Sequence, residues 1–152
     1  MENKLPKNWV ETELNNIISF VIGGDWGKDP SKIDDLNFEE VSCIRGSEIK
    51  NWSEDKGSTA SIRKIKKTSL EKRELILGDI LIEISGGGPD QPVGRILFID
   101  EEALEINSLP KVCTNFLRLL RVNSLLNQKF ISRFLEYFYI SGKVIQYQGG
   151  SN

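Results

Sequence analysis

The segment from Gly78 to Arg95 constrains this chain more than any other. Gly78-Asp79 signals a turn. Ile80, Leu81, Ile82 and Ile84 then form an apolar run long enough for a buried strand and too short for a helix. Between Ser85 and Gly94, three consecutive glycines and two prolines leave little room for regular structure. The apolar pattern resumes at Ile96-Leu97-Phe98-Ile99, so strand, glycine loop and strand is the simplest reading. Gly86, Gly87 and Gly88 have no side chains to hold another molecule away, which permits close approach to the backbone.

The rest of the chain limits what could approach. Its 152 residues fit one domain with one real core, and 39% hydrophobic with 28% charged residues is ordinary for a globular domain. No apolar run nears the roughly 20 residues of a membrane span, and the N-terminus lacks the apolar core of a signal peptide. Cys43 and Cys113 allow a disulfide, but two reduced, buried thiols in a cytoplasmic protein fit better. The absence of histidine removes Ser-His and Cys-His nucleophile pairs, most zinc sites and the commonest general base. A net charge of −2 argues against gripping nucleic acid over the whole surface, yet allows one basic face.

Taken in order, Trp9, Val10 and Leu14 look like entry anchors, and Thr12 is a candidate cap for a helical turn through Ile17. Ile17 to Ile22 reads as a strand ending in the glycine loop Gly23-Gly24-Asp25-Trp26-Gly27-Lys28. Residues 29–40 read as a polar surface loop with Phe38 tucked in. Val41 to Ile44 is another strand, followed by a turn from Arg45 to Ile49. Ile62 to Arg73 holds six basic residues and one acid, with Thr68-Ser69 as a candidate cap for a brief helix. Glu101 to Glu105 is acidic and exposed in character, and Leu117 to Val122 is a strand. Leu125, Leu126, Phe130, Ile131, Phe134, Leu135 and Phe138 then fall near helical spacing. They predict an amphipathic helix starting near Asn127, with Phe130, Phe134 and Phe138 in the core. A second helical stretch covers Ser141 to Tyr147, and Gln148 to Asn152 is a loop. The expected architecture is α+β: a twisted, partly barrel-like, mainly antiparallel sheet with helices toward the C-terminus.

Familiar enzyme motifs are missing. The phosphate-loop pattern fails at Ile22 and Asp29, and the dinucleotide fingerprint fails at Gln91. The Asn/Asp-Pro-Pro-aromatic motif of amino-methyltransferases is absent. Pro89-Asp90 follows Glu48-Ile49-Lys50 and Glu54-Asp55-Lys56, the reverse of the usual carboxylate-nuclease order.

Several features suit nucleic acid. In the loop from Gly86 to Gly94, backbone N–H groups near Gly87 and the Gln91 amide can reach a phosphate or base edge, with Arg95 beside them. The loop of Gly24, Trp26 and Lys28 offers a similar surface, with Trp26 covering the core as the equal alternative. Arg63, Lys64, Lys66, Lys67, Lys72 and Arg73 can contact phosphates without sequence choice, or form a solvated face. Arg45, Ser47 and Lys50 sit at a strand end, where base reading and a structural salt bridge are equal readings. Asn115 can read adenine through its amide or hydrogen-bond its own turn.

Leu5-Pro6-Lys7-Asn8-Trp9 with Leu14, Phe20-Val21-Ile22-Gly23-Gly24, Ile44-Arg45-Gly46-Ser47-Glu48-Ile49, Gly78-Asp79-Ile80-Leu81, Gly94-Arg95 and Thr114-Asn115-Phe116 occur in that order. Together they resemble the target recognition domain of type I restriction-modification specificity subunits, from about Leu5 to Asn152. The resemblance implies a non-catalytic module that reads one half of a split site in double-stranded DNA. It implies methyltransferase subunits and a restriction-translocase subunit as partners, with methyl donor, ATP and Mg²⁺ belonging to them and no cofactor in this chain. It also implies that residues 1–152 form a single recognition domain truncated before a spacer helix. Two other classes stand beside it: a protein-interaction domain, and a metal-dependent nuclease using Asp90 with Glu83.

Overall fold

A computed structural model describes residues 4–148. The end of the C-terminal loop, residues 149–152, lies outside them. In chain order the elements are α1 (Leu14–Ile17), β1 (Ile18–Gly23), β2 (Phe38–Ile44), α2 (Trp52–Asp55), β3 (Ser61–Lys66), α3 (Lys67–Arg73), β4 (Ile80–Glu83), β5 (Ile96–Phe98), α4 (Glu101–Glu105), β6 (Lys111–Cys113), β7 (Leu117–Val122) and α5 (Gln128–Ile140). Turns of 3-10 helix lie at Pro30–Lys32, Gly46–Asn51 and Lys143–Tyr147. The α+β class is as expected. The pairing, however, gives two sheets where one partly barrel-like sheet was expected, and no barrel closes among the described residues.

The larger sheet has the order β1-β7-β4-β5 and is antiparallel throughout. The smaller has the order β3-β2-β6, with β2 antiparallel to β3 and parallel to β6. β4 lies inside the larger sheet, which explains its unbroken apolar run: Ile80 and Leu81 point to opposite faces and both are fully buried. Leu81, Leu97, Leu117 and Leu119 join Ile44, Trp52 and Ile99 in the main core. On the opposite face, Ile80, Leu120 and Val122 meet Ile131 and Leu135 of α5. The segment that constrained the sequence most is therefore the sandwiched middle of the fold.

The turn before β4 is fixed by charge. Asp79 is fully buried, and its carboxylate accepts from Arg121 Nε and Nη2 at 2.7 and 2.8 Å and from the Ile76 N–H at 2.8 Å. A buried carboxylate without such partners would be strongly unfavourable.

Some local expectations change. Thr68 and Ser69 lie inside α3, whose N-cap is Lys66, and Ser69 donates to Asp25 instead of capping. Glu13, not Thr12, is the N-cap of α1, while Thr12 accepts from Asn16. The acidic segment from Glu101 to Glu105 is a helix capped by Asp100, with Ala103 buried. The helix expected near Asn127 is α5, and the Asn127 side chain caps it by accepting from the Phe130 N–H at 2.9 Å. Phe130 and Phe134 are not core: they are 47% and 54% exposed. Phe138 is half-buried against Tyr147, and Trp9 packs edge-on against Phe130 at 5.5 Å. The entry anchors Trp9, Val10 and Leu14 all remain exposed. Cys43 and Cys113 are buried free thiols on adjacent strands, and burial pushes both up to about 12.

Candidate nucleic-acid interface

The connections that follow β1, β2 and β4 and the turn between β6 and β7 converge on one cleft of about 890 Å³. Trp26, Arg45, Ser47, Lys50, Gln91, Arg95 and Asn115 all line it. These seven come from four separate parts of the sequence, and each is among the residues singled out above.

Two ion pairs, each built on a buried carboxylate, shape its walls. Glu48 is 2% exposed, and its carboxylate accepts from the Arg45 backbone N–H at 2.6 Å and from Arg45 Nη2 at 2.6 Å. Ser47 Oγ donates to the same carboxylate at 3.1 Å. Burial alone would raise the Glu48 carboxyl, but these hydrogen bonds outweigh it and hold the group below its ordinary value. Glu83 is 3% exposed and accepts from Arg95 Nε at 2.8 Å and Nη2 at 2.6 Å. Hydrogen bonding to these carboxylates raises both guanidinium groups above their ordinary value. The structural alternative for Arg45 is thus realised. Both arginines hold the cleft's shape through Nε and Nη2, and each has Nη1 uncommitted among the described residues.

Asn115 differs. Its turn closes through the backbone, Leu117 N–H to Thr114 O at 3.0 Å, so the exposed amide does not bond its own turn. Gln91 also closes its turn through the backbone, with Gly88 at 2.8 and 3.1 Å, and its side-chain amide has no partner among the described residues. Two amides with unused donors and acceptors therefore face one cleft.

The glycines divide by role. A Cβ at Gly24 would lie 2.1 Å from Thr114 O and 2.2 Å from Cys113 O, so this glycine lets β1 run onto the turn after β6. Gly87 is crowded by Gln91 and Val93 of its own loop, and it borders a neighbouring hollow instead of the main cleft. Gly86 has φ +94 and open space where a side chain would stand, and it lines the cleft. The open backbone inferred for the triple glycine is thus present at Gly86 and Gly88 but not at Gly87.

The basic run is split between tasks. The Arg63 guanidinium lies 4.2 Å from the Trp26 ring centroid and donates to Trp26 O at 3.0 Å, fixing the tryptophan beside the cleft. Lys64 donates to Ile33 O at 2.8 Å, and Arg73 donates to Gly23 O at 2.9 Å. Lys28 pairs through its backbone with Lys64 at the free edge of β3, leaving its side chain exposed. Lys66 is exposed, and Lys67 lies 4.0 Å from Glu39. The run is therefore not one continuous basic face: Lys66, Lys67 and Lys72 stay accessible, while Arg63, Lys64 and Arg73 tie down loops.

Sequence reasoning missed Phe116 and Thr114 as parts of the site. Phe116 is 53% exposed in the cleft lining. Thr114 is buried there, and its Oγ1 has no hydrogen-bond partner among the described residues. Both flank Asn115, but an aromatic residue leading into a strand reads as core until its exposure is known.

Both Glu83 oxygens are held by Arg95, and the described residues contain no group of three or more carboxylate or cysteine side chains placed to bind a metal. No helix among the described residues is long and apolar enough to cross a membrane. No protein-family model matches this sequence, and no curated protein matches it.

Proposed function

We propose that this chain is a sequence-specific DNA-recognition domain of the type I specificity-subunit kind. It would work as a cytoplasmic, non-catalytic module beside methyltransferase and restriction-translocase subunits. The observation that carries this reading is the convergence of Ser47, Gln91, Asn115 and the Arg45 and Arg95 guanidinium groups on one rigid cleft. Asparagine and glutamine amides pair two-fold with an adenine edge, and the uncommitted Nη1 of Arg45 or Arg95 can donate singly to a base acceptor. The buried carboxylates make the cleft rigid before any ligand arrives, which lowers the ordering cost of binding. Lys28, Lys50, Lys66 and Lys67 are exposed and free to hold phosphates, a role that positions DNA without reading it. Four of the segments that carry the family resemblance, those containing Gly24, Arg45, Arg95 and Asn115, meet at or beside this cleft.

The test is selection of random-sequence duplexes on the purified chain, followed by sequencing of the retained pool. Enrichment of one short sequence is the expected result, and Gln91→Ala or Asn115→Ala should relax the preference. Each lost two-fold contact corresponds to about 1–3 kcal/mol of discrimination. A pool that stays random would count against sequence reading. A chain that retains no duplex at low salt would instead favour a protein-interaction domain.

A further inference from the structure

The charge and lining of the cleft do not suit it to hold an intact DNA backbone. Two of its cations, Arg45 and Arg95, are neutralised by Glu48 and Glu83, which leaves Lys50 as its one uncompensated charge among the described lining residues. A groove that tracks phosphates needs a run of cations. What lines this one is aromatic and amide: Trp26 braced by Arg63, Phe116 more than half exposed, and the Gln91 and Asn115 side chains. Its volume of about 890 Å³ falls in the range of sites that enclose small organic ligands. Phe116 is about as exposed as Phe130 and Phe134, but unlike them it lines the cleft, and aromatic rings are what unstacked bases lie against. The partnerless Thr114 hydroxyl beneath this turn is a further buried polar group that the protein alone does not satisfy.

Resting on the DNA-binding reading above, we infer that the cleft receives a single nucleobase turned out of the helix. The base is held against Trp26 and Phe116, and its polar edge faces the Asn115 and Gln91 amides. Recognition then includes local distortion of the DNA, and the lysines outside the cleft hold the flanking phosphates. The shared chemistry is a planar, neutral heteroaromatic ring, which a DNA base or a free nucleoside can supply.

The experiment uses duplexes with 2-aminopurine placed opposite either thymine or an abasic site, together with free 2-aminopurine riboside. A base opposite an abasic site is already unpaired, so the protein avoids most of the opening cost. The abasic duplex should bind about tenfold tighter than its paired counterpart, with quenched 2-aminopurine emission. Phe116→Ala should weaken that complex roughly 5- to 150-fold, the range for loss of one base–aromatic stack, and weaken the paired duplex, whose base has to open into the same cleft, in the same direction. Because Phe116 is already half exposed, the variant should keep its fold; Trp26→Leu provides a second variant with the same expected direction.

Equal, salt-dependent binding of both duplexes with unchanged emission overturns the inference and leaves the DNA reading standing. Binding of free riboside that Phe116→Ala abolishes, with no duplex retained, overturns the DNA reading and makes the cleft a small-molecule site. Binding of none of the three probes overturns both.

Discussion

Arg45, Arg95 and Arg121 each hold a buried carboxylate through two N–H groups. Removing one partner of such a pair leaves a buried charge uncompensated, at a cost of about 3–5 kcal/mol. Arg121 is not among the residues lining the cleft, so Arg121→Ala should lower stability to urea by roughly this amount while folded protein keeps its DNA affinity. Arg95→Ala should reduce both. The pH dependence has a definite sign. Glu48 and Asp100 are both held below their ordinary values in the fold; burial opposes this in each case, and hydrogen bonds from Arg45 and Lys56 prevail. Their stabilisation is therefore complete above the ordinary carboxylate range and is lost as pH falls through the lowered folded values. Glu48→Gln should flatten the acid limb of a stability-versus-pH curve measured by urea unfolding, and an unchanged limb would remove Glu48 from the account. How far such pairs can be read from sequence depends on register. Arg45 and Glu48 stand three residues apart in one quoted segment. Glu83 and Arg95 are opposite one another because Ile80 pairs with Phe98 and Ile82 with Ile96, continuing to the Glu83–Arg95 backbone hydrogen bond. The two strands were legible, but the long loop between them leaves their register open.

At the scale of elements, α5 shows where periodicity stops being informative. Its helical spacing and its start near Asn127 were both visible in the sequence. Its apolar residues nevertheless wrap too far around the helix to say which side faces inward. Ile131 and Leu135 pack on the larger sheet, while Phe130, Phe134 and Tyr137 form an exposed stripe. Leu135→Ala should therefore destabilise the protein by about 2 kcal/mol, and Phe134→Ala should stay within about 0.5 kcal/mol of wild type. Asn127→Ala should cost about 1 kcal/mol through the lost cap. Thermal or urea unfolding of the three variants checks the ordering, and equal losses at 134 and 135 would contradict the orientation. β3 shows the opposite difficulty. Its lysines and arginines read as one basic run, which hid both the strand and the fully buried Ile65 within it. On a strand beside a free sheet edge, long basic side chains can lie outward or reach over loops, so charge density masks the pattern.

For the molecule as a whole, DNA affinity has to come from few cations. The net charge is −2, and the cleft itself is nearly neutral once its ion pairs are counted. Accessible positive charge is then carried by Lys50 in the cleft lining and by the exposed Lys28, Lys66 and Lys67 outside it. Each phosphate neutralised by such a group releases counterions and contributes about −0.9 to the slope of log affinity against log salt. Replacing Lys66 and Lys67 together by glutamate should weaken binding to every duplex alike. If each contacts one phosphate, the slope should become shallower by roughly 2. Glu39, 4.0 Å from Lys67, already tempers that lysine, so the measured change should fall somewhat short of the full value. Gln91→Ala, by contrast, should leave the slope unchanged and alter only which sequences are preferred, because an amide releases no counterion. A salt titration of wild type and both variants on selected and random duplexes separates the two contributions. If Gln91→Ala changed the slope and the lysine pair did not, the division between a neutral reading cleft and an outer ring of phosphate contacts would be wrong.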